Sequence, residues 1–327
     1  MSQEITLIKA INQALDEEMS RDDSIVVLGE DVGVDGGVFR ATEGLVEKYG
    51  SKRVMDTPIS EAGIVGMGLG MAINGLKPVI EIQFSGFIYP AFQEIVSHVS
   101  RMRNRSRGRF TVPMVIRSPY GGGINALEHH SESMEALYAH IPGIKVVIPS
   151  SPAEAKGLLT AAIRDPDPVL FLEPKKIYRA FKDEVPEGEY VIELSKANVI
   201  EQGDEVTVIS WGAMLQTTKE AVKDLKRKGH SIEVVDLRTI MPWDVDTVIE
   251  SVKKTGRAVI VQEATKTAGF ASEIIATIND EALMYLEAPI KRVTGYDIIM
   301  PYLKNETLQL PSVDKVSKAI QEVIDFE

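Results

Sequence analysis

The 327-residue chain contains no cysteine. That excludes a disulfide framework, thiolate catalysis and any cysteine-ligated metal. No run of about 18 apolar residues occurs, so no membrane-spanning helix is expected. The opening Met-Ser-Gln-Glu-Ile-Thr-Leu has neither a basic region nor an apolar one, so no secretory signal is read there and a cytoplasmic protein is expected. Positive charge is also short: 36 Lys and Arg stand against 48 Asp and Glu, a net charge of −12. A chain of that sign repels phosphate as a whole, which argues against nucleic acid or an anionic membrane as partner. Several motifs are missing too. There is no Walker loop, no His-Glu-x-x-His, no Gly-x-Ser-x-Gly, and no Gly-Asp-Gly with downstream paired Asn that would hold a diphosphate through magnesium.

What is present is ordinary soluble composition, 44% apolar and 26% charged, over a length that suggests about two domains. Strand-like runs at 25–29, 78–82, 113–117, 144–148 and 168–172 alternate with helical periodicity at 5–19, from 60, at 89–103 and at 152–164. A charged, Pro- and Gly-bearing break follows at 181–189. Strands at 206–210, 232–235 and 258–261 then alternate with helices at 214–227, 245–254, 271–280 and 313–325. This pattern predicts an α/β fold with parallel sheets, divided into domains 1–185 and 198–327 by a linker at 186–197. Ligands are then expected beyond the carboxyl ends of the strands.

The stretch from Asp56 to Gly75 places Glu61 at the mouth of a glycine-rich helix whose only polar side chain is Asn74. Pro58 and Ser60 are helix-start signals, and the apolar run predicts a helix buried on most faces. A carboxylate entering such an interior needs a partner, either its own helix N-terminus or a ligand. The glycines at 63, 66, 68 and 70 fail the dinucleotide spacing and read as close helix packing. Gly121-Gly-Gly123 follows a strand and predicts a mobile loop ending in His129-His130, imidazoles able to move protons near neutrality. Gln83-Phe-Ser-Gly-Phe87 sets rings just past another strand end, where they pack in the core or stack on a planar ligand. Arginines at 101, 103, 105, 107 and 109 form a local basic patch suited to an acidic partner. Asp165-Pro-Asp167 is a turn, or a site for a hard cation.

Gly29-Glu-Asp-Val-Gly33, Asp56-Thr-Pro-Ile-Ser-Glu61, Glu81-Ile-Gln-Phe84, Ile116-Arg-Ser-Pro-Tyr-Gly121, His130-Ser131 and Pro142-Gly-Ile-Lys-Val-Val-Ile-Pro149 together carry a resemblance. The chain resembles β subunits of 2-oxoacid dehydrogenase E1 components over essentially its full length. The resemblance implies a thiamine diphosphate-binding pyrimidine domain followed by a transketolase C-terminal domain. It implies an α₂β₂ heterotetramer with an E1 α subunit that supplies the magnesium and diphosphate motif, and an E2 lipoyl acyltransferase as second partner. Glu61 matches the glutamate that hydrogen-bonds the aminopyrimidine. His130, and not His129, matches the histidine that assists acyl transfer to lipoyl. Phe87 takes the place of an aromatic packed on the pyrimidine, with Ile59 and Gln83 lining the same pocket. A potassium site in the family uses groups at Met114, Val115, Ala162, Ile163, Asp165 and Asp167; Val115 and Asp167 depart from the Thr and Asn of some relatives. Segments 85–92, 171–179, 236–247 and 287–297 look most like branched-chain enzymes, so a branched-chain 2-oxoacid is the expected substrate, with pyruvate or acetoin as the alternative. A non-catalytic assembly subunit and a nicotinamide oxidoreductase are the remaining readings; the intact Glu61 and His130 argue against the first and the glycine spacing against the second.

Overall fold

The apolar runs of Val, Ile and Leu form strands buried on both faces, because helices cover either side of each sheet. In the computed structural model, which describes residues 2–326, the strands are β1 (Ser2–Ile5), β2 (Ile25–Gly29), β3 (Val54–Asp56), β4 (Lys77–Glu81), β5 (Val115–Tyr120), β6 (Lys145–Val147), β7 (Val169–Pro174), β8 (Asp183–Pro186), β9 (Asn198–Glu201), β10 (Val206–Ser210), β11 (Ile232–Asp236), β12 (Thr239–Met241), β13 (Ala258–Thr265) and β14 (Lys291–Gly295). Three sheets result: a seven-stranded one in the order β12-β6-β7-β5-β4-β2-β3, a five-stranded one in the order β14-β13-β10-β11-β9, and the pair β1-β8. The two larger sheets are parallel except at the edges, where β12 and β9 run antiparallel to β6 and β11. Among the described residues no helix is long and apolar enough to cross a membrane.

Short β12 follows β11 in the chain yet pairs in the seven-stranded sheet, so the two sheets are stitched together. The stitch is polar. Ser150 donates to the buried Asp236 at 2.9 Å and accepts from the Gly212 amide at 2.8 Å, while Arg238 donates to Glu154 at 2.7 Å. Burial, and then the nearby Glu154, push the Asp236 carboxyl well above its ordinary range.

Several expected elements are placed differently. The expected helix at 5–19 is Leu7–Arg21, because residues 2–5 pair with 183–186 and Thr6 is extended. Its apolar stripe, including Leu7, Ile11 and Leu15, packs on the helix Pro152–Arg164, each fully buried Leu contributing about 1.5–3 kcal/mol. The charged break at 181–189 thus contains a strand. Its continuation is held by the buried Lys156, which donates to Glu17 and to the carbonyls of Pro186 and Gly188. The helix expected at 89–103 is broken into 3₁₀, α and π turns from Ser85 to Arg105; Pro90 sits within the first of these and lacks the N–H a regular helix needs there.

The glycine-rich helix is Glu61–Ile73, and here the expectation of burial on most faces fails. Ile64, Val65, Gly68, Leu69 and Ala72 face the core, but Gly63, Gly66 and Met67 are exposed along the opposite side. An apolar helix face left open in a single chain is a surface to be covered.

Candidate active site

Strands β3, β2, β4 and β5 lie side by side, so the segments leaving their carboxyl ends meet along one edge of the sheet. Gly29 ends β2 with its Cα against the Glu81 carbonyl, a position where any Cβ would collide with backbone. The chain then turns into Glu30 and Asp31. Asp56, ending β3, accepts from the amides of Gly33 at 2.6 Å and Val34 at 3.2 Å, and Thr57 donates to the Gly29 carbonyl at 2.9 Å. These contacts fix the approach to Glu61, the first residue of its helix, half-buried, with no side-chain cap from Ser60.

Glu61 is not alone there. Glu30 is 5% exposed, and its Oε1 has no hydrogen-bond partner. Burial, then the charge of Glu61, then that of Asp31 raise the Glu30 pKa. Gln83, two residues past the end of β4, donates to Asp31 at 2.9 Å. Past Gln83, Phe84 and Phe87 meet edge to face, and both rings pack on His130, with centroids 4.4 and 5.0 Å away. His130 ends a 3₁₀ turn, Glu128–His130, that follows β5 and the glycine loop. Its Nδ1 is buried and has no partner, and burial together with the Lys175 ammonium lowers its pKa. The structure therefore brings Glu61, Gln83, Phe87 and His130 to one rim. Ile59 lies on the same rim and is 84% exposed. His129 instead turns outward, half exposed, toward Phe87 and Tyr89.

Beneath the rim is a buried ion cluster. Arg117 binds Glu173 through two hydrogen bonds, at 2.7 and 3.1 Å, and Glu81 through a third at 2.9 Å, and Tyr178 donates to Glu173 at 2.6 Å. Tyr178 packs at a tilt against Phe39, and Phe39 edge to face against Phe84, so the cluster supports the aromatic floor of the site.

Met114, Val115, Ala162, Ile163, Asp165 and Asp167 are gathered elsewhere, at the amino end of β5 and the end of the helix Pro152–Arg164. Asp165 is paired with Lys145, and Asp167 with Arg103 at 2.5 Å. The Met114 carbonyl already accepts from Val169, and that of Ala162 from Asp165. Both carboxylates thus have cationic partners, while each of the two carbonyls keeps a second lone pair. Arg103 is the one member of the basic patch that this pairing absorbs. Among the described residues no group of three or more His, Asp or Glu side chains is arranged to hold a metal.

Sequence reasoning missed Glu30, Arg117, Lys175 and Glu263. Glu30 stands directly after a strand end, inside a motif quoted for the resemblance, and that position was the available signal. The others sit in strands or at their ends as ordinary charged residues, and only the tertiary fold shows them to be buried.

The family model for the transketolase pyrimidine-binding domain matches residues 3–180, and that for the transketolase C-terminal domain matches 195–316. Over 319 residues the chain is 56% identical to the pyruvate dehydrogenase E1 component subunit beta of Acholeplasma laidlawii, covering 98% of each chain. The corresponding Bacillus subtilis subunit is 51% identical and a Staphylococcus aureus one 47% identical, each over 99% of both chains. The solved structure of a split-gene transketolase, an inactive β4 tetramer, superposes with a TM-score of 0.81 at 22% identity over 99% of both chains. The fold is that of transketolase, and the chain belongs to the family of β subunits of 2-oxoacid dehydrogenase E1 components.

Proposed function

We propose that this chain is the β subunit of a pyruvate-decarboxylating E1 component, acting in the cytoplasm with an E1 α subunit and passing its acyl group to lipoyl on E2. The observation that supports a shared site best is the rim itself. A half-buried carboxylate, an orphaned Glu30 oxygen and an unpartnered His130 nitrogen stand beside exposed apolar side chains, among them Val34, Ile59, Met67 and Leu127. That is the composition of half a site whose other wall belongs to a partner.

The residues fit thiamine diphosphate, whose flat pyrimidine needs a carboxyl hydrogen bond on one edge and an apolar surface on its face. When bound, that cofactor supplies the carbanion chemistry. Glu61 then holds the pyrimidine edge and fixes its protonation state, and the raised neighbour Glu30 limits the negative charge beside it. Phe87, Gln83 and Ile59 orient the ring and keep water from the Glu61 hydrogen bond. His130 holds or moves a proton during transfer to lipoyl. Magnesium belongs on this reading to the diphosphate-binding partner. Residues 1–185 and 198–327 serve as the pyrimidine and C-terminal domains joined by 186–197.

Pyruvate replaces the branched-chain substrate expected above. The relatives bear pyruvate dehydrogenase names at 47–56% identity. Three of the four segments behind the earlier expectation overlap β7, β12 and β14 in part, so part of that likeness lies in sheet-building residues. The test is decarboxylation by the co-expressed α/β pair across pyruvate, 2-oxoisovalerate and 2-oxo-4-methylpentanoate. A kcat/KM for pyruvate at least about tenfold above the branched acids is expected, since they carry two and three more carbons and even one such group in an apolar pocket is worth about tenfold or more. Preference for either branched acid would overturn the assignment.

A further inference from the structure

The glycine loop was expected to be mobile, yet it is tied down from the other sheet. Gly121, Gly123 and Asn125 all have left-handed φ values, of 79°, 94° and 56°, which turn neighbouring amides toward common acceptors. Glu306, which begins the short helix Glu306–Gln309, accepts from the amides of Gly123 and Asn125, each at 2.5 Å, one on each carboxylate oxygen. Glu263, near the end of β13, accepts from the Gly122 amide at 2.5 Å and from Ser133 Oγ at 3.2 Å, so one carboxylate joins both ends of the loop. His130 lies between those ends. Side chains are excluded where the clamp closes: a Cβ on Gly121 would stand 2.6 Å from a Glu263 oxygen, and one on Gly122 would stand 2.7 Å from a Glu306 oxygen.

Two buried carboxylates need countercharge. Lys175, at the end of β7, is 3% exposed and its Nζ has no hydrogen-bond partner. It lies within electrostatic reach of Glu263, Glu306 and His130. We propose that the C-terminal half of the chain positions His130: Glu306 and Glu263 clamp the backbone of loop 121–133, and Lys175 supplies the buried countercharge. The inference rests on the reading of His130 as an acyl-transfer residue. Glu263, Glu306 and Lys175 are positioning residues, since they touch the loop and not the reacting atoms. Burial pushes the Lys175 pKa down to about 8, partly offset by the two glutamates.

The experiment uses the assembled α/β enzyme and measures two half-reactions separately. Pyruvate decarboxylation is read with an artificial electron acceptor, and acetylation of a free lipoyl domain is read by mass spectrometry. Glu306→Gln can accept only one of the two amide bonds, because its NH₂ faces the other N–H. Loss of one charge-assisted bond predicts roughly tenfold slower lipoyl acylation, with decarboxylation slowed less than about twofold. Equal losses in both half-reactions, or no loss in either, would overturn the clamp. A wild-type enzyme that decarboxylates no 2-oxoacid would overturn the underlying reading instead. The second variant, Lys175→Met, removes the cation facing His130, leaving His129 and Glu128 as its charged neighbours. The histidine pKa in the acylation profile should then move upward. An unmoved profile would place Lys175 outside the cluster's electrostatics.

Discussion

Glu61→Gln in the assembled enzyme is expected to lower 2-oxoacid decarboxylation by about 10²- to 10⁴-fold, the range over which a positioned proton-transfer group contributes. The amide keeps the size and one acceptor of the carboxylate but cannot exchange a proton with the pyrimidine edge. Folding should be little affected, because Glu61 is half-buried in a first helical turn that Ser60 leaves without a side-chain cap. Glu30 provides an internal check. Its pKa is raised first by burial and next by the charge of Glu61, so removing that charge should let the Glu30 pKa fall. Steady-state decarboxylation with gel filtration of the complex measures both aspects. Unchanged turnover, or loss of turnover through failure to assemble, would remove Glu61 from its proposed role.

The largest effect on stability is expected at Arg117. Its side chain is 1% exposed and joins Glu81 and Glu173, both buried. Arg117→Met leaves two carboxylates in the interior without their cation, which typically costs about 3–5 kcal/mol. The sign with pH follows from Glu81. Burial raises its pKa, Arg117 opposes that, and Glu173 adds to it. Without Arg117 the folded-state pKa rises further above the unfolded value. The penalty is then complete above that raised value and is relieved as pH falls through it toward the unfolded value. Urea unfolding at about pH 8 and about pH 5 should show a smaller deficit at the lower pH. Converting Arg117, Glu81 and Glu173 together to apolar residues of similar volume should recover most of the loss, since replacing a whole buried ion cluster is often neutral. A deficit independent of pH would mean that packing, not charge, dominates.

The fold was legible where periodicity was strong. The runs at 25–29, 206–210 and 258–261 are buried strands because little else can accommodate consecutive Val and Ile between helices. The N-terminal strand was not legible, because Ser2–Ile5 pairs with residues more than 170 positions away. Nor was the broken helix after Ser85, where Pro90 lies within otherwise helical periodicity. Glu61 was legible in the sequence from its place at the start of an apolar helix, and His130 from its place after a strand and a glycine loop. Their surroundings were not: Glu30 becomes conspicuous only once burial and the neighbouring Glu61 are seen, and the Glu263 and Glu306 clamp joins residues 141 to 183 positions apart. The branched-chain expectation is not supported by the relatives, which are named as pyruvate dehydrogenase subunits.

Cofactor binding tests the half-site most directly. Thiamine diphosphate with magnesium is titrated calorimetrically into this chain alone, the E1 α subunit alone, and the assembled pair. Saturable binding is expected only for the pair, with no saturation of this chain alone at about millimolar cofactor. Tight binding by this chain without its partner would contradict the account.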